Sequence, residues 1–241
     1  MKPILFNTEM VRAILGGRKA VTRRAVKPRY CDSVFEMFRG KLCESSPYKP
    51  PIDNGDGTTT RFVRHYVFCK PPYLPGEILY VRETWTKLWY VDPDGYTHYD
   101  QPMYYYAADG TPDITLLDED GFEQDDQRIR WHPSIHMPYE AARIFLRVMD
   151  VRVERLQEIT ELDILEKEGV TVDFPQPKPS YMSLAYSETR LKPAVRKAFS
   201  DLWDSTIKPA DRALYGWEAN PWVWAIEFER IIKEEAGQHG D

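Results

Sequence analysis

Alternation of apolar and polar residues along several stretches is the feature that most limits how this chain can fold. A period of two is typical of β-strands that place one face against a core. The clearest strand-like stretches are ILYVRETW (residues 78–85), ARIFLRVMDVRVERL (residues 142–156, as one strand or two) and PWVWAIEFERI (residues 221–231). Few segments have helical spacing, so the sequence predicts an α+β fold rich in mixed or antiparallel strands.

Three segments have the apolar spacing of helices. The first begins at Asn7 or Thr8 and ends at Gly16, and the other two span residues 160–169 and 192–206. Regular βαβ alternation and a GxGxxG motif are both absent from the sequence, which argues against a Rossmann fold. Many short strands with few helices instead predict a small β-barrel flanked by helices.

We predict a single domain over residues 1–241, with insertions at about residues 35–60, 86–130 and 171–190. The second insertion is rich in Tyr, Asp and Gly and includes the acidic run DEDGFEQDD (residues 118–126). It is expected to form a long, exposed hairpin or loop. Its acidity suits a protein partner better than RNA, and the sequence leaves the oligomeric state open.

Composition excludes several classes of protein. Hydrophobic residues make up 42% of the chain, enough for a core, and a net charge of −6 argues against coating long duplex DNA. The 3 cysteines and 5 histidines have no zinc spacing, so no metal and no cofactor is expected, and a reduced, cytoplasmic chain is the simplest interpretation. The N-terminus lacks the apolar region of a signal peptide, and no run reaches the ~18 apolar residues of a membrane span.

The segment GGRKAVTRRAVKP (residues 16–28) concentrates positive charge in an otherwise acidic chain. Its five cations are Arg18, Lys19, Arg23, Arg24 and Lys27. The dipole of the preceding helix accounts for one or two of them. The others either form a solvated basic turn or line a pocket, where arginine would hold a carbonyl, phosphate or carboxylate group.

Within this segment, Gly17, Lys19, Thr22 and Arg24 are the candidates to converge on one pocket. A lysine beside an arginine can act as a base or nucleophile, and a threonine hydroxyl can donate and accept hydrogen bonds. On an extended strand Thr22 and Arg24 share one face, and Arg23 takes the other. The spacing differs from that of a Walker A loop.

Charged and aromatic residues inside two strands are further candidates. In VRETW (residues 81–85), Arg82 and Glu83 either pair to lock strands together or take part in a site. Trp85 shares a strand face with Glu83. Trp224, near the end of the chain, is either a core residue or a platform on which a base stacks.

Together these stretches resemble the ASCH-domain proteins, a branch of the PUA-like β-barrels, and within it the phage- and prophage-borne group. The matching segments are KPILFNTEMVRAILGGRKAVTRR, PGEILYVRETW, SIHMPYEAARIFLRVMDVRVERLQEIT, EKEGV, FSDLWDS and YGWEANPWVWAIEF. The resemblance implies a small barrel with a groove that binds a nucleoside, a nucleotide or single-stranded RNA. One small bacterial member is an amidohydrolase that removes acyl groups from N4-acetylcytidine.

The resemblance also implies the site residues, through a G-x-K-x-x-T-x-R stretch and a glutamate near the end of a helix. The implied catalytic residues are Lys19, Thr22 and Glu168, with Gly17 and Arg24 as ligand-binding residues. From the strand VRETW, Arg82, Glu83 and Trp85 are added as further candidate ligand-binding residues. The helix before Glu168 is one residue longer than the family pattern, so Glu166 is an alternative partner for the lysine. In this hypothesis Arg24 stabilises the developing oxyanion, and no metal takes part.

The sequence therefore predicts a protein that binds a nucleoside, nucleotide or RNA segment, with a site compatible with a metal-independent amidohydrolase. Two alternatives remain at this stage. One is a non-catalytic module, an accessory protein of phage origin that binds RNA or another protein. The other is a ribonuclease that uses the same cations against a phosphodiester.

Overall fold

The computed structural model describes residues 1–29, 33–46, 49–61, 66–91, 94–96, 103–111, 116–118, 121–124, 129–172 and 192–237, and these form an α+β fold. The strands are β1 (Lys2–Leu5), β2 (Val21–Ala25), β3 (Val34–Phe38), β4 (Lys41–Ser45), β5 (Ile52–Asp53), β6 (Thr59–Thr60), β7 (Tyr66–Phe68), β8 (Ile78–Arg82), β9 (Trp85–Tyr90), β10 (Met103–Tyr106), β11 (Leu116–Leu117), β12 (Glu123–Gln124), β13 (Phe145–Arg155) and β14 (Trp222–Ile231). The helices are α1 (Thr8–Leu15), α2 (Glu161–Lys167), α3 (Lys192–Ser205), α4 (Arg212–Tyr215) and α5 (Lys233–Gly237).

A five-stranded sheet forms the centre of the fold, in the order β1-β8-β13-β14-β2. Strands β1 and β8 are parallel, and the other neighbours are antiparallel. The strand pairs within the described ranges leave β1 and β2 as edges, so they do not close the predicted small barrel. A side chain joins the two edges instead, because Nη2 of Arg24 on β2 donates a 2.8 Å hydrogen bond to the carbonyl oxygen of Leu5 on β1.

The three predicted helices are confirmed, and two of them begin with the expected caps. The side chain of Asn7 accepts a 2.9 Å hydrogen bond from the backbone N–H of Met10 at the start of α1. The hydroxyl of Thr160 accepts one of 3.1 Å from Asp163 at the start of α2. Helix α3 buries Val195, Phe199 and Trp203 in a core that it shares with α2.

The stretch ILYVRETW, predicted as one strand, is divided between two sheets. Strand β8 ends at Arg82 in the central sheet, and β9 begins at Trp85 in a four-stranded sheet of order β10-β9-β11-β12. The chain leaves the central sheet at Glu83, whose backbone N–H points to the sulfur of Met137 at 3.2 Å. By contrast, β13 is one continuous strand with a register shift between Val148 and Asp150.

Two of the three predicted insertions contain β-strands and are not simple loops. The first contains β3, β4 and the β5–β6 pair, and β4 also pairs with β7, which follows the predicted insertion. The second forms the hairpin of β9 and β10, as predicted, but it is only partly exposed because Thr86 and Leu88 are buried. The third, at residues 171–190, lies almost wholly outside the described residues. In the described part of the chain, no helix has both the length and the apolar character needed to span a bilayer.

Candidate functional site

The basic segment begins where α1 ends and runs alongside the end of α2. The backbone N–H groups of Arg18 and Lys19 both point to the carbonyl oxygen of Ala13, at 2.8 and 3.2 Å. Lys19 then pairs with Glu168 in an isolated antiparallel bridge, and the N–H of Ala20 donates to the carbonyl of Lys167 at 2.9 Å. These backbone bonds fix the lysine side chain next to the end of α2.

Lys19 and Glu168 form a buried ion pair. The Nζ of Lys19 lies 2.7 Å from Oε2 of Glu168, and the exposed fractions of the two side chains are 1% and 4%. The other carboxylate oxygen, Oε1, contacts Nη1 of Arg23. Nε of Arg23 in turn donates a 2.8 Å hydrogen bond to Oε1 of Glu154 on β13. One carboxylate is therefore shared by two buried cations from the same strand segment.

This group continues outward as a series of ion pairs of alternating charge. Glu154 accepts a 3.0 Å hydrogen bond from Nε of Arg152. The Nη1 atom of the same arginine lies 3.6 Å from Oε2 of Glu227. Glu227 in turn lies 3.3 Å from Nζ of Lys167. The outer pairs are partly exposed and contribute little to stability, whereas loss of one partner from the buried end leaves a charge without compensation.

Gly169 allows Glu168 to take this position. Its φ is +72°, the left-handed conformation that terminates many helices and that glycine adopts at low cost. A Cβ at this residue would lie 2.5 Å from the Cβ of Ala13 and 3.3 Å from the Cβ of Lys19. The glycine predicted to terminate α2 is therefore also required for the close approach of α1 and the lysine.

Of the two glutamates considered as partners for Lys19, only Glu168 contacts it. Glu166 is exposed. Thr22 is buried opposite Ile226 in the sheet, and its hydroxyl makes no hydrogen bond to any residue that the structure describes. Gly17 has a φ of +70° and forms the turn after α1.

Arg24 lies near the ion pair but does not touch it. Its guanidinium carbon is 5.5 Å from the centroid of the Phe6 ring, in addition to the hydrogen bond to Leu5. Burial lowers the pKa of Arg24, while the charges of Tyr73 and Glu168 act in the opposite direction. Arg24 is thus within electrostatic range of Glu168, and the direct contact is made by Arg23.

Arg23 was not among the predicted site residues, although the sequence holds a signal for it. Residues at even separations on an extended segment share a face. Lys19 and Arg23 are four positions apart, so an extended chain places both on the side opposite Thr22 and Arg24. Glu154 carries no comparable signal, because its approach depends on how β13 and β14 pair.

The other predicted ligand-binding residues make contacts around a second arginine. Glu83 forms a two-pronged ion pair with Arg143, at 2.9 and 3.0 Å, and Arg143 forms a second with Asp109, at 2.6 and 3.0 Å. The guanidinium of Arg143 also lies 3.9 Å from the centroid of the Tyr106 ring. Burial raises the pKa of Tyr106 to about 12, so its hydroxyl stays protonated and donates to the carbonyl of Ala141 at 2.6 Å.

Arg82 and Trp85 belong to the same region. Nη1 of Arg82 donates a 3.2 Å hydrogen bond to the carbonyl of Ile135, and the Trp85 ring lies 5.1 Å from the ring of His132. The contacts of Arg82, Glu83 and Trp85 hold β8 and β9 to the segment before β13. The sequence left open a strand-locking pair of Arg82 with Glu83, but Glu83 pairs with Arg143 instead and Arg82 bonds to Ile135. The structure does not bring Arg82, Glu83 or Trp85 into contact with Lys19.

Two clefts flank the basic segment. The first, called the Glu168 cleft, has a volume of about 380 Å³ and is lined by Met10, Arg18, Glu168, Ala198 and neighbouring residues of α1 and α3. The second, called the Arg24 cleft, has a volume of about 430 Å³ and is lined by Arg24, Tyr73, Trp224 and neighbouring residues. The buried ion pair therefore reaches a cleft through Glu168.

Within the ranges that the structure describes, no three or more His, Cys, Asp or Glu side chains are placed to hold a metal ion. Comparisons of the chain with protein-family models, with curated proteins and with solved structures found no match.

Proposed function

We propose that this is an ASCH-domain protein that binds a nucleoside, nucleotide or RNA segment and hydrolyses the amide bond of an N4-acylated cytidine. The observation that carries the proposal is the 2.7 Å contact between Nζ of Lys19 and Oε2 of Glu168. These residues lie 149 positions apart and come from the two stretches in which the family resemblance implies catalytic residues. Glu168 also lines a cleft next to the pair.

We also propose that the central sheet is a PUA-like barrel with an open seam between β1 and β2. The hydrogen bond from Arg24 to Leu5 spans that seam. Packing of Ile4 and Phe6 with Ile226 and Phe228 in one buried cluster supports it, because these residues come from the two sides of the sheet order.

Amide hydrolysis requires a water oxygen to add to the acyl carbon, the C–N bond to break, and a proton to reach the departing N4 nitrogen. In this proposal the Lys19–Glu168 pair activates the water and returns its proton to N4, which gives cytidine and a carboxylic acid. The Thr22 hydroxyl, which is unbonded among the described residues, orients the substrate. Arg23 and Arg24 supply positive charge near the oxyanion.

A second candidate function is binding without catalysis. Both members of the Lys19–Glu168 pair are almost fully buried, and Glu168 also contacts Arg23. Such an arrangement can hold a strand to a helix without taking part in chemistry. In that case the clefts would bind RNA or another ligand while the ion pair remained structural.

The test is turnover of a panel of N4-acylated cytidines, read by mass spectrometry, with wild type beside Lys19→Ala. The control is Lys197→Ala, since Lys197 is exposed on α3 and pairs only with Asp201 among the described residues. Because Lys19→Ala can unfold the chain, Thr22→Ala is measured in parallel, and circular dichroism checks each fold.

The proposal predicts that wild type and Lys197→Ala release cytidine and that folded Lys19→Ala or Thr22→Ala has lost at least about 100-fold in rate. It is wrong if wild type converts none of the panel. It is also wrong if folded Lys19→Ala and Thr22→Ala both turn over at the wild-type rate.

A further inference from the structure

The Arg24 cleft is a concentrated patch of positive charge on an acidic chain. It lies where β2 leaves the central sheet and faces the loop after β7. Its described lining includes four cations, Arg24, Lys27, Arg29 and Lys70, and one carboxylate, that of Glu44. The lining therefore carries a net charge of +3, while the whole chain carries −6. A local charge opposite to the overall charge attracts anions.

The single carboxylate of this lining is already engaged by other groups. Glu44 is buried, and its Oε1 accepts 2.5 Å hydrogen bonds from the backbone N–H of Arg29 and from the hydroxyl of Ser33. By contrast, Lys27 and Lys70 are exposed and have no ion pair within the described residues. Because both side chains are exposed, an anion in solution can reach their ammonium groups.

Two other lining groups add no negative charge. Burial raises the pKa of the Cys69 thiol and the pKa of the Tyr73 hydroxyl, so both are neutral near pH 7. The Tyr73 hydroxyl donates a 2.8 Å hydrogen bond to the carbonyl of Pro3. This bond fixes the position of the tyrosine ring beside the cations.

Aromatic rings complete the cleft. Tyr73 and Trp224 both line it, and both are half-buried, so part of each ring remains accessible. Trp224 lies directly opposite Arg24 in the pairing of β14 with β2. Cations for an anionic group, combined with ring faces for a planar group, are the elements that proteins use to hold nucleotides.

We propose that the Arg24 cleft binds the phosphate group of a nucleotide, with Lys27 and Lys70 on the phosphate and Tyr73 and Trp224 against the base. The volume of about 430 Å³ is in the range of small-ligand sites. This inference rests on the nucleotide- or RNA-binding part of the proposed function and deepens it, and apart from Arg24 it uses residues that the proposed amide hydrolysis does not. It implies that the natural ligand carries a phosphate ester, either as a free nucleotide or as part of a single-stranded RNA.

The test compares three probes by isothermal titration calorimetry: cytidine, cytidine 5′-monophosphate and a single-stranded RNA of eight cytidines. The variant is Lys27→Ala/Lys70→Ala, whose side chains are exposed and have no ion pair among the described residues. The control is Lys208→Ala/Lys233→Ala, which removes the same charge from two exposed lysines outside the lining.

The expected result is that wild type and the control bind the monophosphate about tenfold or more tightly than cytidine. The Lys27→Ala/Lys70→Ala variant should lose that preference while binding cytidine as before. Equal binding of cytidine and its monophosphate by wild type would overturn the proposal. Retention of the full preference for the monophosphate by the variant would also overturn it. Both outcomes are independent of whether Lys19→Ala changes amide hydrolysis.

The RNA arm identifies the source of the phosphate. If the natural ligand is RNA, the octamer binds more tightly than the monophosphate, and the variant lowers the salt dependence of log K by about 0.7 for each phosphate that it no longer neutralises. If the ligand is a free nucleotide, the octamer binds no more tightly. As an independent readout, ligand should quench tryptophan fluorescence in wild type and quench it less in Trp224→Phe, and equal quenching would contradict the stacking role.

Discussion

The carboxylate of Glu168 lies 2.7 Å from the ammonium group of Lys19, and both side chains are almost fully buried. The same carboxylate contacts Arg23, so it compensates two cations at once. Removal of one charge from a buried ion pair strongly destabilises the fold when the partner's charge is left uncompensated. Loss of the glutamate should therefore destabilise the fold more than loss of the lysine.

Glu168→Gln should destabilise the protein more than Lys19→Met. The first change leaves two buried cations beside a neutral amide, and we expect a loss of about 3–5 kcal/mol in the free energy of unfolding. The second leaves Glu168 still paired with Arg23, so its loss should be smaller. Urea unfolding at pH 7 measures both. Glu166→Gln, on the exposed side of the same helix, is the control and should change stability by less than about 0.5 kcal/mol. An equal or larger loss for Lys19→Met would contradict this account.

Gly169→Ala should destabilise the protein more than Gly17→Ala, although the backbone conformations are matched. Both glycines have left-handed φ, +72° at Gly169 and +70° at Gly17. A methyl group at Gly17 would meet no atom within 4 Å, whereas at Gly169 it would lie 2.5 Å from the Cβ of Ala13. Backbone strain of about 1 kcal/mol is expected at both, and overpacking adds about 1–3 kcal/mol at Gly169. Thermal unfolding of the two variants gives the difference, and similar melting temperatures would show that α1 and α2 can separate freely.

Local pattern was enough to predict most of the elements that position the site. The caps Asn7 and Thr160 and the terminator Gly169 are short-range features, because each acts within one turn of its own helix. The division of ILYVRETW between two sheets could not be predicted in this way. Apolar alternation identifies a strand, but its partners depend on distant segments, such as Met137 and Arg143 beside Glu83.

The site shows the same limit. The two-residue period of an extended segment predicts that Lys19 and Arg23 share a face. It does not predict that a glutamate 149 positions from Lys19 lies between their side chains. The family resemblance implied Glu168 as the partner of Lys19 and left Glu166 as an alternative, and the structure decides for Glu168. For Glu83, two roles were compatible with the sequence, and its buried ion pair with Arg143 favours the structural one.

The ion pair between Glu161 and Arg196 should make stability depend on acid pH. A hydrogen bond from the backbone of Glu161 and another from Arg196, at 2.5 Å, hold the pKa of Glu161 below its usual range. A lowered pKa in the folded state gives a stabilising contribution above the unfolded pKa of about 4.3, and the contribution is lost as the pH falls through the folded pKa. Both side chains are partly exposed, so it should be below about 1 kcal/mol.

Urea unfolding of wild type and Glu161→Gln between pH 7 and pH 3 tests this dependence. The difference in free energy of unfolding should be largest at pH 7 and should shrink below pH of about 4.3. In an Arg196→Met background the same substitution should show a weaker pH dependence, because one of the two hydrogen bonds is already missing. A difference that is constant with pH, or that grows toward acid, would be inconsistent with a lowered pKa.

Glu83→Gln and Asp109→Asn form a matched pair, because both remove one carboxylate from Arg143 and differ in burial. The side chain of Glu83 is 1% exposed and that of Asp109 is 52% exposed. A buried partner is shielded from water, so its loss should lower the free energy of unfolding by about 3–5 kcal/mol, whereas the exposed pair should contribute at most about 1 kcal/mol. Urea unfolding at pH 7 measures both variants. If Glu83→Gln and Asp109→Asn both lowered the free energy of unfolding by at most about 1 kcal/mol, Glu83 would not be needed for stability. That result would favour a direct role for Glu83 in ligand binding.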